Sequence, residues 1–253
     1  MSKATFLKYE KPLLTAMILC STAEECIEKI KASESDGAEA YGIQLCFLKK
    51  EYRTEETLKK IFDACNGKPI YITSYRHKES VDLTDDERVE LLLLGLKCGA
   101  TICDVMGDLY CQASYELTYD ETAVSRQMEL IAEIHRRGGE VLMSSHTSAT
   151  LTAEETLKIA KEQARRGADI TKIVNDTESE QDIPECIRTI LSLKETGKNF
   201  LYLIRGAGAK MIRQTGPNLG VCMYLCVQSH GPFDNASQPV LKNIKAVRDH
   251  MVF

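Results

Sequence analysis

The sequence predicts an α/β fold, a closed (β/α)8 barrel of the TIM type, and three observations carry that reading. Eight short runs, at 13–19, 38–47, 70–75, 101–106, 141–146, 170–175, 200–205 and 220–227, are β-rich or continuously apolar, as parallel strands covered on both faces are. A helical pattern lies between successive runs, and alternating strand and helix implies parallel pairing through right-handed crossovers. Eight such units in 253 residues match the size of the closed barrel. An open doubly wound sheet is the competing architecture. It would usually place a glycine-rich phosphate loop after an early strand, but Cys20-Ser21-Thr22-Ala23 follows the first run, with no G-x-G-x-x-G.

The boundaries between elements are written locally. Thr22-x-x-Glu25, Thr84-x-x-Glu87 and Thr152-x-x-Glu155 are capping boxes, in which a threonine hydroxyl and a glutamate three residues on satisfy each other's backbone donors at a helix start. Gly37-Ala38, Gly99-Ala100 and Gly167-Ala168 close three helices and launch the next strand. Glycine there supplies the left-handed C-terminal cap. No linker, low-complexity tract or composition break interrupts 1–253, so the chain reads as one barrel domain.

Composition bounds the function. Hydrophobic residues make up 43% and charged residues 27%, the profile of an ordinary globular protein. A net charge of −5 without long charge runs argues against nucleic acid and against an anionic membrane as partners. The start, Met1-Ser2-Lys3-Ala4-Thr5, has no apolar core of signal-peptide length, and the longest apolar stretch, Leu91 to Leu94, is far too short to span a bilayer. A cytoplasmic protein is expected. The ten cysteines form no C-x-x-C and have no histidine at zinc-finger spacing. They read as reduced, buried thiols, with no metal site and no cofactor implied.

A barrel gives strand ends their meaning, because chemistry sits at the C-terminal ends of the strands and in the loops beyond. The polar groups there are Arg76, His77 and Glu79 after the third strand, Asp104 and Asp108 around the fourth, and Ser144, Ser145 and His146 ending the fifth. Lys172 and Asn175 follow in the sixth, Arg205 ends the seventh, and Arg213 lies in the glycine-rich segment beyond. Lys172 is the most informative. It sits inside the strand-like run Ala168-Asp169-Ile170-Thr171-Lys172-Ile173-Val174, where desolvation favours the neutral amine, a nucleophile toward carbonyl carbon. The plain alternative is a buried lysine paired with a carboxylate, or a stem reaching to the rim. His146, on the neighbouring strand, is suited to move a proton near neutral pH. Arg76 and Arg213 are candidates to hold a carboxylate by paired, charge-assisted hydrogen bonds. Asp104 and Asp108 lack a third convergent ligand for a cation.

These residues resemble type I 3-dehydroquinate dehydratase from about Lys11 to the C-terminus. Gly167-Ala168-Asp169-Ile170-Thr171-Lys172-Ile173 resembles that family's Schiff-base lysine motif, and Val141-Leu142-Met143-Ser144-Ser145-His146 its strand ending in the catalytic histidine. Arg213, followed by Gly216 and Gly220, resembles the arginine for the substrate carboxylate. Thr73-Ser74-Tyr75-Arg76 resembles the strand-3 T-F-R. The resemblance implies that Glu79 orients His146 and that Gln238, in the last loop, closes over the substrate. It also implies a small cyclic keto acid as substrate, no cofactor, and a homodimer. Three departures stand out. Where the family has an E-x-R pair on strand 2 for substrate hydroxyls, this chain has Gly42-Ile43-Gln44, leaving Gln44 as the candidate contact. Asp104-Val105-Met106 keeps only the aspartate of D-x-E. Asp234-Asn235-Ala236-Ser237-Gln238 stands in place of an A-P-G-Q context.

The expected activity is dehydration of 3-dehydroquinate to 3-dehydroshikimate, or of a related cyclic keto acid, through an iminium at Lys172. Two other readings stay open: a different Schiff-base lyase or isomerase on the same barrel, and a ligand-binding barrel without catalysis.

Overall fold

The computed structural model describes residues 4–251, so Met1 to Lys3, on which the leader reading partly rests, lie outside the described residues. Eight strands alternate with eight α-helices: β1 (Leu13–Ile18), α1 (Ala23–Ser35), β2 (Ala40–Gln44), α2 (Glu55–Asp63), β3 (Ile70–Thr73), α3 (Asp85–Lys97), β4 (Ile102–Met106), α4 (Glu121–Arg136), β5 (Glu140–His146), α5 (Ala153–Arg165), β6 (Ile170–Thr177), α6 (Ile183–Glu195), β7 (Asn199–Gly206), α7 (Ala209–Leu219), β8 (Met223–Cys226) and α8 (Leu241–Arg248). Each predicted strand is present. The second is shorter than its apolar run because the chain turns after Gln44, with the Phe47 N–H donating to the Gln44 carbonyl at 3.1 Å.

All strand pairs are parallel, and the sheet runs β7-β6-β5-β4-β3-β2-β1-β8. The Cys222 N–H donates to the Phe200 carbonyl at 3.0 Å, which joins β8 to β7 and closes the ring. The three capping boxes form as the sequence spells them. Gly37, Gly99 and Gly167 carry φ of +90°, +116° and +106°, a region closed to residues with a Cβ except at a cost.

Among the described residues no helix is long and apolar enough to cross a membrane. The thiols of all ten cysteines are free, and most are buried. The described residues hold no group of three His, Cys, Asp or Glu side chains arranged to bind a metal ion.

One buried cation ties the helical layer to the catalytic end of the barrel. Arg166, which caps α5, is 1% exposed. Its Nη1 donates to the Gly107 carbonyl at 2.9 Å and to Gln127 Oε1 at 2.8 Å, and its Nη2 donates to the Thr118 carbonyl at 2.5 Å. Those carbonyls bracket the loop between β4 and α4. Removing the guanidinium takes this donor from the buried Thr118 carbonyl and from Gln127 Oε1, while the Gly107 carbonyl keeps the Thr118 N–H at 3.1 Å and Gln127 Nε2 at 3.2 Å. The loss is roughly 3 kcal/mol. Arg166→Met is therefore expected to lower the urea midpoint with an unchanged slope. A midpoint matching the parent chain would show that the loop does not depend on this brace.

Candidate active site

The register between β5 and β6 sets Ser144 opposite Lys172 and His146 opposite Val174, so the lysine and the histidine come from adjacent strands at one end of the barrel. Lys172 is 4% exposed. Its Nζ donates to Tyr71 Oη at 3.0 Å and to Tyr75 Oη, and it pairs with Asp104 Oδ2 at 3.2 Å. The Tyr71 and Tyr75 hydroxyls both donate to that same oxygen at 2.5 Å, while Ser144 Oγ donates to Asp104 Oδ1 at 2.5 Å. Burial first, and then the Asp104 charge, push both phenols well above their ordinary pKa, so they stay protonated. The lysine thus has the carboxylate partner that the plain reading called for, and it also lines a cavity of about 420 Å³.

His146 ends β5 at the rim of that cavity. Its Nδ1 lies 2.5 Å from Glu116 Oε2, and its backbone N–H donates to the same oxygen at 2.7 Å. A carboxylate can only accept, so Nδ1 carries the hydrogen and Nε2 is left to exchange a proton. Glu116 is held for this task in a left-handed conformation, φ +50°, after Tyr115 at φ +60°. Such strain in residues with a Cβ persists where the surroundings impose it. Here the Ser145 hydroxyl holds the Glu116 carbonyl at 3.0 Å.

Glu79 is not the partner of His146. The chain turns through Lys78 at φ +54°, and Glu79 follows on the exposed side, its backbone N–H donating to the Cys46 carbonyl at 3.0 Å. Glu116, from the β4–α4 loop, occupies the place expected of it. Arg76 lines the cavity, but its guanidinium is already committed: Nη1 to Asp108 Oδ1 at 2.6 Å, and Nη2 and Nε to Asp85 at 2.7 and 3.1 Å. Tyr75, one residue earlier, is the side chain that reaches the lysine. Its carbonyl is pinned at 2.8 Å by Nη1 of the buried Arg88.

Arg213 differs from Arg76 in having no counter-charge among the described residues. It projects from α7 into the cavity wall, is 7% exposed, and its Nε has no hydrogen-bond partner among the described residues. Burial first, and nearby Arg205 second, hold its pKa down at about 10. It therefore stays cationic at neutral pH but poorly compensated. Arg205 itself pairs with Asp176 at 2.7 Å. Gln238 is buried at the cavity edge, its Oε1 accepting from the Asn235 N–H at 3.3 Å, and Gln44 lines the wall opposite. The last loop is tied across the mouth by the Lys29–Asp234 pair at 3.0 Å and by Phe233 against Phe47, ring centroids 5.5 Å apart.

The charge absent from strand 2 has left no hole. A Cβ on Gly42 would lie 2.8 Å from Met17 Cε and 3.1 Å from the Tyr71 ring, so those side chains occupy the space a longer residue would need. His77 also lines the cavity, 5.3 Å from Phe47 and 5.8 Å from Tyr75 between ring centroids. Burial, with Lys78 and His146 adding to it, holds its pKa down and keeps it neutral.

The fold and the site together define a (β/α)8 lyase built around a buried lysine. The sequence matches the family model for type I 3-dehydroquinase over residues 14–249. It is 27% identical over 228 residues to a 3-dehydroquinate dehydratase of Methanosarcina barkeri, covering 87% of each chain. The fold is similar to that of the 3-dehydroquinate dehydratase from Geobacillus kaustophilus, with a TM-score of 0.80 at 15% identity, over 95% of this chain and 91% of that one. It is likewise similar to the type I enzyme from Clostridium difficile, with a TM-score of 0.79 at 14% identity, over 95% and 92%. The chain belongs to the type I 3-dehydroquinase family, and with it to the carbon–oxygen lyases that work through a Schiff base.

Glu116→Gln keeps the shape of the His146 partner and removes its charge. The imidazole should then lose its fixed Nδ1–H form, seen as loss of the downfield ring N–H signal in NMR spectra, and turnover should fall by about 100-fold or more. An unchanged tautomer and rate would show that another group orients the ring.

Proposed function

We propose that this cavity dehydrates 3-dehydroquinate, with Lys172 as the Schiff-base nucleophile, His146 as the proton-transfer group, Glu116 as its positioning partner and Arg213 as the anchor for the substrate carboxylate. The observation that carries the reading is the buried Lys172 amine at the cavity floor, within reach of Tyr71, Tyr75 and Asp104 and on the strand next to His146.

Attack of the amine on the ketone and loss of water give an iminium, which acidifies the neighbouring carbon. His146, with Nδ1 committed to Glu116, takes that proton at Nε2 and returns it to the departing hydroxyl. The result is a conjugated enone bound through Lys172, released by water. The substrate's carboxylate supplies the charge that Arg213 lacks. Gln44, Gln238 and the neutral His77 offer uncharged contacts for hydroxyls, and Arg76 holds the wall in place through Asp85 and Asp108. The Arg76 role is thus structural in this proposal, and Glu79 has none. The family also brings the expectation of a cytoplasmic homodimer, to be read from sedimentation as twice the chain mass.

Intact-mass spectrometry after 3-dehydroquinate and sodium borohydride should show one adduct, mapping to Lys172. Lys172→Met should abolish both the adduct and turnover. An adduct elsewhere, or full turnover in that variant, would falsify the assignment.

Arg213 makes a second test with a definite sign. Its folded pKa lies below its unfolded value, so the native state binds this proton less tightly, and the charge weakens the ligand-free fold at every pH below about 10. The displacement corresponds to roughly 3 kcal/mol. Arg213→Met should therefore raise the thermal midpoint of the free protein by a few degrees while removing the stabilisation that 3-dehydroquinate gives the parent chain. Retained ligand stabilisation in the variant would place the carboxylate elsewhere.

A further inference from the structure

We propose that the Tyr75 phenol carries the proton for making and breaking the carbinolamine at Lys172, an inference that rests on the Schiff-base reading above. Three contacts motivate it. Tyr75 Oη is in hydrogen-bond contact with Lys172 Nζ, it donates to Asp104 Oδ2 at 2.5 Å, and Asp104 Oδ2 lies 3.2 Å from the same Nζ. Nitrogen, phenol and carboxylate form a closed triangle. The imidazole of His146 stands edge-on to the Tyr75 ring at 5.1 Å between centroids. Tyr75 therefore lies between the amine and the histidine, and the steps at nitrogen and at the α-carbon have separate proton carriers.

The protons balance without any outside acid. The Lys172 ammonium gives one proton to Asp104 and becomes the amine. The amine attacks the carbonyl carbon, and the alkoxide takes the Tyr75 hydrogen while Asp104 returns its proton to the phenol. The carbinolamine nitrogen, still carrying two hydrogens, gives one to Asp104. The C–O bond then breaks as Tyr75 protonates the leaving hydroxyl, and Asp104 again restores the phenol. Ammonium and ketone have become iminium and water, and Tyr75 and Asp104 are as they began. Because each proton given is replaced in the same movement, no free phenolate is needed. That suits a phenol that burial and Asp104 keep protonated.

Tyr71 makes similar bonds to Lys172 and Asp104 and lines the same cavity, but it is 0% exposed where Tyr75 is 8%, and its hydroxyl stands farther from the amine, at 3.0 Å. It serves as the internal control, since its loss disturbs Asp104 in the same way.

The experiment is rapid quenching with borohydride, following the Lys172 adduct of 3-dehydroquinate by mass in the parent chain, Tyr75→Phe and Tyr71→Phe. Tyr75→Phe should form the adduct about 100-fold more slowly and reach the same final extent. Tyr71→Phe should slow it by less than about tenfold. Incorporating 3,5-difluorotyrosine at position 75, which restores a phenol, should recover most of the rate. An adduct that forms in Tyr75→Phe as fast as in the parent chain overturns the proposal and leaves the Schiff-base reading standing. Equal slowing in both variants assigns the loss to Asp104 and also overturns it. Absence of any adduct in the parent chain removes the Schiff-base reading and this inference with it.

Discussion

An ammonium inside a β-barrel has to be compensated where it stands, and here the compensation is Asp104. One carboxylate takes hydrogen bonds from Tyr71, Tyr75 and Ser144 and pairs with Lys172, so strands β3, β4, β5 and β6 all meet at its two oxygens. A buried charge left unpaired costs several kcal/mol, which makes this cluster an all-or-none unit. The positions of the lysine amine, both phenols and the floor of the cavity follow from it. The same cluster supplies chemistry, because the groups that neutralise the lysine are the groups that can pass its protons.

The change on strand 2 belongs to this arrangement. Gly42 leaves room for Met17 and for the Tyr71 ring, whose hydroxyl reaches Asp104. A longer side chain at position 42 and the Tyr71 ring would compete for one volume. Where the family carries a Glu/Arg pair, this chain has Gly42 and Gln44, and two phenols stand at the amine. In the proposed function, recognition of hydroxyls would fall to the neutral cavity residues Gln44, His77 and Gln238, whose desolvation is cheaper than that of ions.

The barrel was legible because its strands are buried on both faces and read as apolar runs, and because threonine capping boxes and Gly-Ala pairs mark the helix ends. Lys172 was legible for the same reason: a charge in such a run is conspicuous. Glu116 was not. It reaches His146 through two left-handed residues in a loop with no periodic pattern, and sequence spacing pointed instead to Glu79, which the turn at Lys78 carries to the surface. Tyr75 was passed over for Arg76, the charged neighbour. A signal for it was present, since Tyr71, Thr73 and Tyr75 alternate with period two and so share the barrel interior.

The two arginines show why residue type alone could not rank them. Arg76 has two carboxylates and, among the described residues, Arg213 has none. A guanidinium saturated by Asp85 and Asp108 gains little from a third anion and would have to release one to bind it. A buried guanidinium without a partner gains the full charge-assisted pair when a carboxylate arrives. Lys172 with Asp104, His146 with Glu116, Arg76 with its two aspartates and Arg205 with Asp176 are each compensated. Arg213 remains the uncompensated cation of the described cavity wall. In the proposed function Arg213 would thus select an anion before any hydroxyl is read. Because α7 presents that charge while β6 presents the amine, the proposed chemistry would capture carboxylate and ketone on different elements and so orient the ring between them.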